Sequence, residues 1–336
     1  MNRRTVLASA SGLVVAGFAG CLADSADAGS PTHDSSDTAD TDTTTDRNRT
    51  DRSTEAPTPP HDAPFPPDRD DVDRVVWFRE VSDPDSSLLL EHAASSVALP
   101  DAENAFTLRN GTDRTFRTNF YDWALYRWEG GEWHRVAPQG VPEPLMRLAP
   151  GESHTWTLAL GNDDVEEPTL RSQGTESIAV DPVGGGHYAF AAEGWWREQD
   201  QTPTYEHKTV CAARFELEGP PLDLVPSAAV TGTRREGDTV VVSADNPRRD
   251  GGDDGGTEAT YVLTRDDDAS DARALITEQA CREWPLRDAL AHADPDVREV
   301  RVETTTRVVP IFGVRSDENP AIAYDGRTYR ITAEER

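Results

Sequence analysis

The sequence predicts a mainly β protein, a β-sandwich followed by a smaller α+β module. Three observations carry this expectation. Between residues 95 and 220, short runs alternate apolar and polar side chains, the period of a strand with one buried face. Turn sequences rich in Gly, Pro, Asn and Asp interrupt those runs about every 8–12 residues. Helical spacing of apolar residues is confined to the stretch after residue 270. The 336 residues are enough for one large domain or two ordinary ones, at about 100–200 residues each.

Residues 1–21 read as an address. Arg3-Arg4 followed by apolar residues resembles a twin-arginine (Tat) export signal. The apolar run 6–20 is shorter than the roughly 20 residues a transmembrane helix needs. It ends in Phe18-Ala19-Gly20-Cys21, which resembles a lipobox and implies lipidation at Cys21. Residues 22–71 are Asp, Ser, Thr, Pro and Ala with almost nothing to bury, so they are expected to be a disordered acidic tether. Asn48 and Asn110 head N-x-[ST] sequons and are candidate glycosylation sites, although Asn110-Gly111 also reads as a hairpin turn.

Order is expected from Val72, and the sandwich is placed at residues 72–220. Val75–Phe78 and Leu88–Leu90 are short strands. Phe106 and Leu108 lead through Asn110-Gly111 to Phe116 and Phe120. Trp123–Trp128 alternates, Gly130-Gly131 turns it, and Trp133–Val136 returns. Pro150-Gly151 precedes the alternating Thr155–Leu160; Gly186–Phe190 and Ala212–Leu217 complete the set. The succession FTLRNGT, WALYRWEGGEWHRVAP, LAPGESHTWTLAL, GGHYAF and AARFEL resembles the immunoglobulin-like domains of prokaryotic surface proteins. That resemblance covers residues 95–220 and implies a fold, not an activity.

Residues 221–336 are expected to form the α+β module. Thr239–Val242 and Glu258–Thr264 are strands. Ser270 or Asp271 is placed to cap a helix reaching Arg282, and Pro285 starts a second helix through His292. Val297–Val302 and Arg307–Ile311 follow as strands, and Asp325-Gly326 turns a closing hairpin.

The chain shows no catalytic or metal-binding motif, and no cofactor is expected. Its eight histidines never recur at metal-ligand spacing, G-x-S-x-G is absent, and Cys211 lacks the neighbouring His of a blue-copper site. Trp195-Trp196, expected in a polar loop, is either a stacking surface for a sugar or protein partner or a plug and edge cover for the sandwich. Cys211 and Cys281 are either a disulfide joining the two modules or two separate buried thiols; export of an already folded chain favours the thiols. The expected role is therefore a non-catalytic surface protein, lipid-anchored outside the cell and binding an envelope protein or a glycan. The alternative is an extracellular hydrolase or protease-inhibitor-like regulator whose site is assembled from distant residues.

Charge sets the remaining expectation. The net charge is −29, and Lys208 is the only lysine among 33 basic residues. Such acidity excludes nucleic acid as a partner, because phosphate binding needs a basic face. An Asp-rich, Lys-poor composition resembles proteins of extreme halophiles. Molar salt shortens the Debye length to about 3 Å and makes the self-repulsion tolerable. The folded part is expected to lose cooperative structure on dialysis into low ionic strength and to regain it in molar KCl. A thermal midpoint that does not move between the two conditions counts against adaptation to salt.

Overall fold

The computed structural model describes residues 57–67, 69–162, 174–196, 207–246, 256–306 and 321–335. In chain order the first strands are β1 (Val72–Trp77), β2 (Leu88–His92), β3 (Ser96–Ala98), β4 (Ala102–Asn110), β5 (Phe116–Glu129) and β6 (Glu132–Ala137). They are followed by β7 (Met146–Leu148), β8 (Ser153–Leu160), β9 (Ser177–Val180), β10 (Gly186–Trp196) and β11 (Lys208–Glu218). Then come β12 (Val230–Glu236), β13 (Thr239–Ala244), β14 (Thr257–Arg265), β15 (Arg273–Ala274), α1 (Thr277–Ala280) and α2 (Trp284–Ala291). β16 (Glu299–Thr306), β17 (Ala321–Tyr324) and β18 (Arg327–Glu335) close the chain.

These strands make three sheets. The first runs β1-β11-β10-β5-β6, with β3 also on β11 and β7 also on β5; the second runs β2-β4-β8-β9. A single apolar core draws residues from both sheets: Phe106 of β4 stacks on Phe190 of β10 at 4.4 Å, and Trp123 and Trp156 are buried beside them. Alternation decides which side chains enter. Along β10, Tyr188, Phe190 and Ala192 face this core, whereas Ala189 and Ala191 face the opposite side of the sheet. The third sheet, β12-β13-β16-β14-β18-β17-β15, has its own core, to which Leu286, Ala289 and Leu290 of α2 contribute. The chain is thus mainly β, with two facing sheets followed by a third sheet that carries two short helices.

Three expectations change. Asn110-Gly111 is not a hairpin turn, because β4 and β5 lie in different sheets. Gly111 is required by close approach instead: a Cβ there would stand 2.4 Å from the Asp85 carbonyl oxygen. The helix expected from Ser270 or Asp271 begins only at Thr277, since Arg273 and Ala274 pair with Ile322 and Ala323 as a strand. Residues 57–67 and 69–71, expected in the tether, are held against the first sheet, where Phe65 finds an aromatic site. The expected strand at 307–311 lies outside the described residues. By contrast, Pro285 does sit in the first turn of α2, and Asp325 and Gly326 turn β17 into β18 with positive φ of 48° and 73°.

The third sheet is not loosely attached to the first two. Glu278 of α1 is fully buried, and its Oε1 accepts hydrogen bonds from Gly184 N at 3.0 Å and an Arg127 guanidinium nitrogen, with the Tyr188 hydroxyl, which donates to the Gly184 carbonyl at 2.7 Å, lying 3.4 Å away. Arg127 lies on β5 and Tyr188 on β10, so one carboxylate ties both strands to the helix. The fit depends on Gly184, where a Cβ would stand 2.3 Å from the Leu222 backbone nitrogen. Arg282 adds a second tie by donating to the Pro182 carbonyl at 3.1 Å. Ile276, just before α1, enters the core between the first two sheets. The connecting segment is held as well: Asp288 accepts from Ser227 N and Oγ, and Arg287 donates to the carbonyls of Val225 and Pro226.

Removing one partner of a buried ion pair leaves the other charge without compensation, at a cost of about 3–5 kcal/mol. Arg127 keeps a second carboxylate, Glu129, 3.2 Å from its Nε, so Glu278→Ala is expected to destabilise the whole protein by less than that amount and to split its melting into two calorimetric transitions. A single unshifted transition would show that the junction contributes nothing to stability.

Candidate functional site

The most structured surface feature lies on the outer face of the first sheet. Small residues, Ala124, Ala189, Ala191 and Ala212, form its floor, and Trp77, Tyr126, Trp128 and Trp133 stand around them. Residues 57–67 and 69–71 run over this face as a strap that belongs to no sheet. Phe65 plugs the aromatic box: its ring lies 4.7 Å from Trp77, 4.8 Å from Tyr126 and 5.6 Å from Trp133. The angles to Tyr126 and Trp133 are 68° and 79°, the edge-to-face geometry favoured by ring quadrupoles. The Arg214 guanidinium lies 4.2 Å from the Trp77 ring centre and donates to the His61 carbonyl of the strap.

A charged latch stands beside the box. Arg69 forks onto Asp71 at 2.5 and 2.7 Å and reaches Glu193 at 3.1 Å. Lys208 Nζ bridges Glu193 at 2.6 Å and Asp71 at 3.1 Å. The strap thus contributes one charge of each sign, β10 the second carboxylate and β11 the ammonium. Arg69 and Glu193 border a cavity of about 10 Å³, room for roughly one water, also lined by Asp122 and Arg135.

The latch sets its own protonation states. The hydrogen bond from Arg69 holds the Asp71 carboxyl well below the usual carboxylate range, and the same bond raises Arg69. Burial pulls Lys208 downward, but its bonds to Glu193 and Asp71 outweigh this and raise it. A protonated, paired amine has no lone pair to attack a carbonyl. Asp122 is pushed up, first by burial and then by the nearby Glu193 carboxylate.

The residues singled out in the sequence are not brought together. Trp195 and Trp196 lie on β10, both half-buried; Trp196 packs edge-on against Phe116 at 5.1 Å with Arg114 over its ring. The expected polar-loop placement is therefore corrected to a strand end. Cys211 and Cys281 are both free and buried, so no disulfide joins the modules. Cys211 faces the core between the first two sheets, where burial pushes its thiol up to about 12. Asn110 is also corrected as a glycosylation candidate: it is fully buried, and its Nδ2 donates to the carbonyls of Arg114 and Leu148. A glycan on that nitrogen would take one of the two donor hydrogens and would need space that the buried site does not have. Arg3, Arg4, Cys21 and Asn48 lie outside the described residues. Among the described residues, no three His, Cys, Asp or Glu side chains group to hold a metal ion.

The strap is what reading the sequence missed. Pro64-Phe65-Pro66-Pro67 looks like tether composition. The available signal was indirect: on β5 and β6, Tyr126, Trp128 and Trp133 alternate away from the inward Trp123 and Leu125 and need a cover of their own. No protein-family model matches the chain, and no curated protein matches it in sequence.

Asp71 and Asp122 are expected to respond oppositely to pH. Asp71 titrates lower folded than unfolded, so its contribution is full above about pH 4 and fades as pH falls through its depressed folded value. Asp122 titrates higher folded than unfolded, so its ionised form costs stability above that raised value and nothing below about pH 4. At pH 7 and fixed salt, Asp71→Asn should lower the thermal midpoint and Asp122→Asn should raise it. Near pH 3 the Asp122→Asn gain should disappear. A midpoint for Asp122→Asn at or below wild type at pH 7 would contradict the assignment.

Proposed function

We propose that this is a non-catalytic surface protein of a halophilic archaeon, anchored outside the cell by a lipid on Cys21. Its immunoglobulin-like sandwich and C-terminal module present a binding surface to another envelope protein or a glycan. The observation that carries the binding reading is how the reactive groups are used. Lys208 is salt-bridged to Asp71 and Glu193, and the junction acids and arginines bind each other and the backbone. Such groups hold a shape rather than perform chemistry. Two facing sheets with buried tryptophans support the immunoglobulin-like reading, and Arg3-Arg4 with Phe18-Ala19-Gly20-Cys21 supports the export and anchoring. No helix among the described residues is long and apolar enough to cross a membrane.

Cys21→Ser is expected to release the protein from membranes or to block its maturation, read by fractionation in high salt and by mass. Retention after a detergent-free wash at unchanged size would overturn the anchor. Replacing Arg3 and Arg4 with Lys should stop export; unchanged surface delivery would remove the Tat assignment.

A further inference from the structure

The aromatic box and its plug come from different parts of the fold. Trp77, Tyr126, Trp133 and Arg214 stand on β1, β5, β6 and β11, whereas Phe65 stands on a strap that is not a strand. The strap carries Pro57, Pro59, Pro60, Pro64, Pro66 and Pro67, none of which can donate a backbone hydrogen bond. No ladder holds it: one backbone bond, from Lys208 N to the Asp71 carbonyl at 2.9 Å, ties its end to β11, the other contacts named are made through side chains, and Phe65 itself is only half-buried. An element with so few backbone ties opens at lower cost than the strands beneath it. The box is also incompletely satisfied by this occupant: Trp133 is 2% exposed, and its Nε1 is buried without a hydrogen-bond partner.

We propose that this aromatic face is an interaction surface for a proline-flanked aromatic segment followed by an Arg-x-Asp pair, occupied here by the chain's own strap and open to exchange with a partner's. The resident sequence defines the chemistry. The prolines preset an extended backbone, as in other aromatic-groove recognition of proline-rich peptides. The ring fills the box, and the Arg and Asp meet Glu193 and Lys208 with opposite charge. An acidic surface carrying −29 overall repels most acidic segments, and the latch admits one whose charges alternate correctly. The proposal names a partner class within the binding reading and rests on it for the partner being an envelope protein. It fails separately, because exchange is read on the purified chain whether or not such a partner exists.

The test uses the full-length chain in molar KCl and a fluorescent synthetic peptide of residues 57–71. Phe65→Ala, which empties the box, should bind the peptide at least tenfold more tightly than wild type, whose own strap competes. Arg69→Gln, which weakens only the latch, should fall between them. A peptide with alanine at the Phe65 position should bind Phe65→Ala at least tenfold more weakly. In wild type, amides of 57–71 should exchange at least tenfold faster than those of β10 and β11. Absence of peptide binding to both variants with native near-ultraviolet dichroism would overturn the proposal. So would binding indifferent to the peptide's phenylalanine, or strap amides as slow as the strands, a readout that holds even if a variant fails to fold.

Discussion

A carboxylate with no access to water must be compensated where it stands, and Glu278 is such a carboxylate. Its partners come from Arg127, Tyr188 and the Gly184 amide, about ninety to a hundred and fifty residues earlier in the chain. With its Oε1 held by these donors, α1 is docked on β5 and β10, Ile276 falls into the core between the first two sheets, and Arg282 reaches the Pro182 carbonyl. The approach leaves no space for a side chain at Gly184. One buried charge thus converts two folded regions into a single unit. An apolar contact of the same size would have allowed sliding, whereas a carboxylate with directed donors specifies a register.

The same logic governs how scarce cations are used in a chain of net charge −29. Arg127, Arg282 and Arg287 are all buried, each directed at a carboxylate or at backbone carbonyls. The planar guanidinium offers five donors and satisfies several acceptors at once, which an ammonium cannot do in a fixed plane. Lys208 is the exception, and it sits where two carboxylates converge from different directions on a compact charge. Interior charge is therefore nearly self-neutralised, and the excess of acids is left to the surface.

The strap shows how a segment of tether composition becomes ordered. Its prolines lower the entropy lost on docking, and one aromatic ring reaches a floor of alanines on the central strands. Those strands are covered on both faces as a result, which explains why GHYAFAA and TVCAARF read as nearly continuous apolar runs rather than as strict alternations.

What the sequence determined by itself follows from local physics. Alternation of apolar residues set β4, β5, β6, β8, β10 and β11, though not the short β7 and β9; Pro285 set the start of α2, and Asp325-Gly326 set the last hairpin, because periodicity and turn chemistry act over a few residues. Pairing across long separations was decided only by the tertiary structure. Asn110-Gly111 carries a hairpin signal, yet the chain there crosses between sheets, since Phe106 and Phe116 must line one core from opposite sides. Arg273 and Ala274 have helical neighbours but pair with β17, where ladder hydrogen bonds outweigh a weak local preference. Cys211 and Cys281 could have been a bridge by sequence, and burial in their separate settings left them free thiols. The latch and the box were illegible for the same reason. Phe65, Arg69 and Asp71 gain meaning only opposite Trp133, Glu193 and Lys208, and that opposition is made by sheet order, which no local pattern encodes.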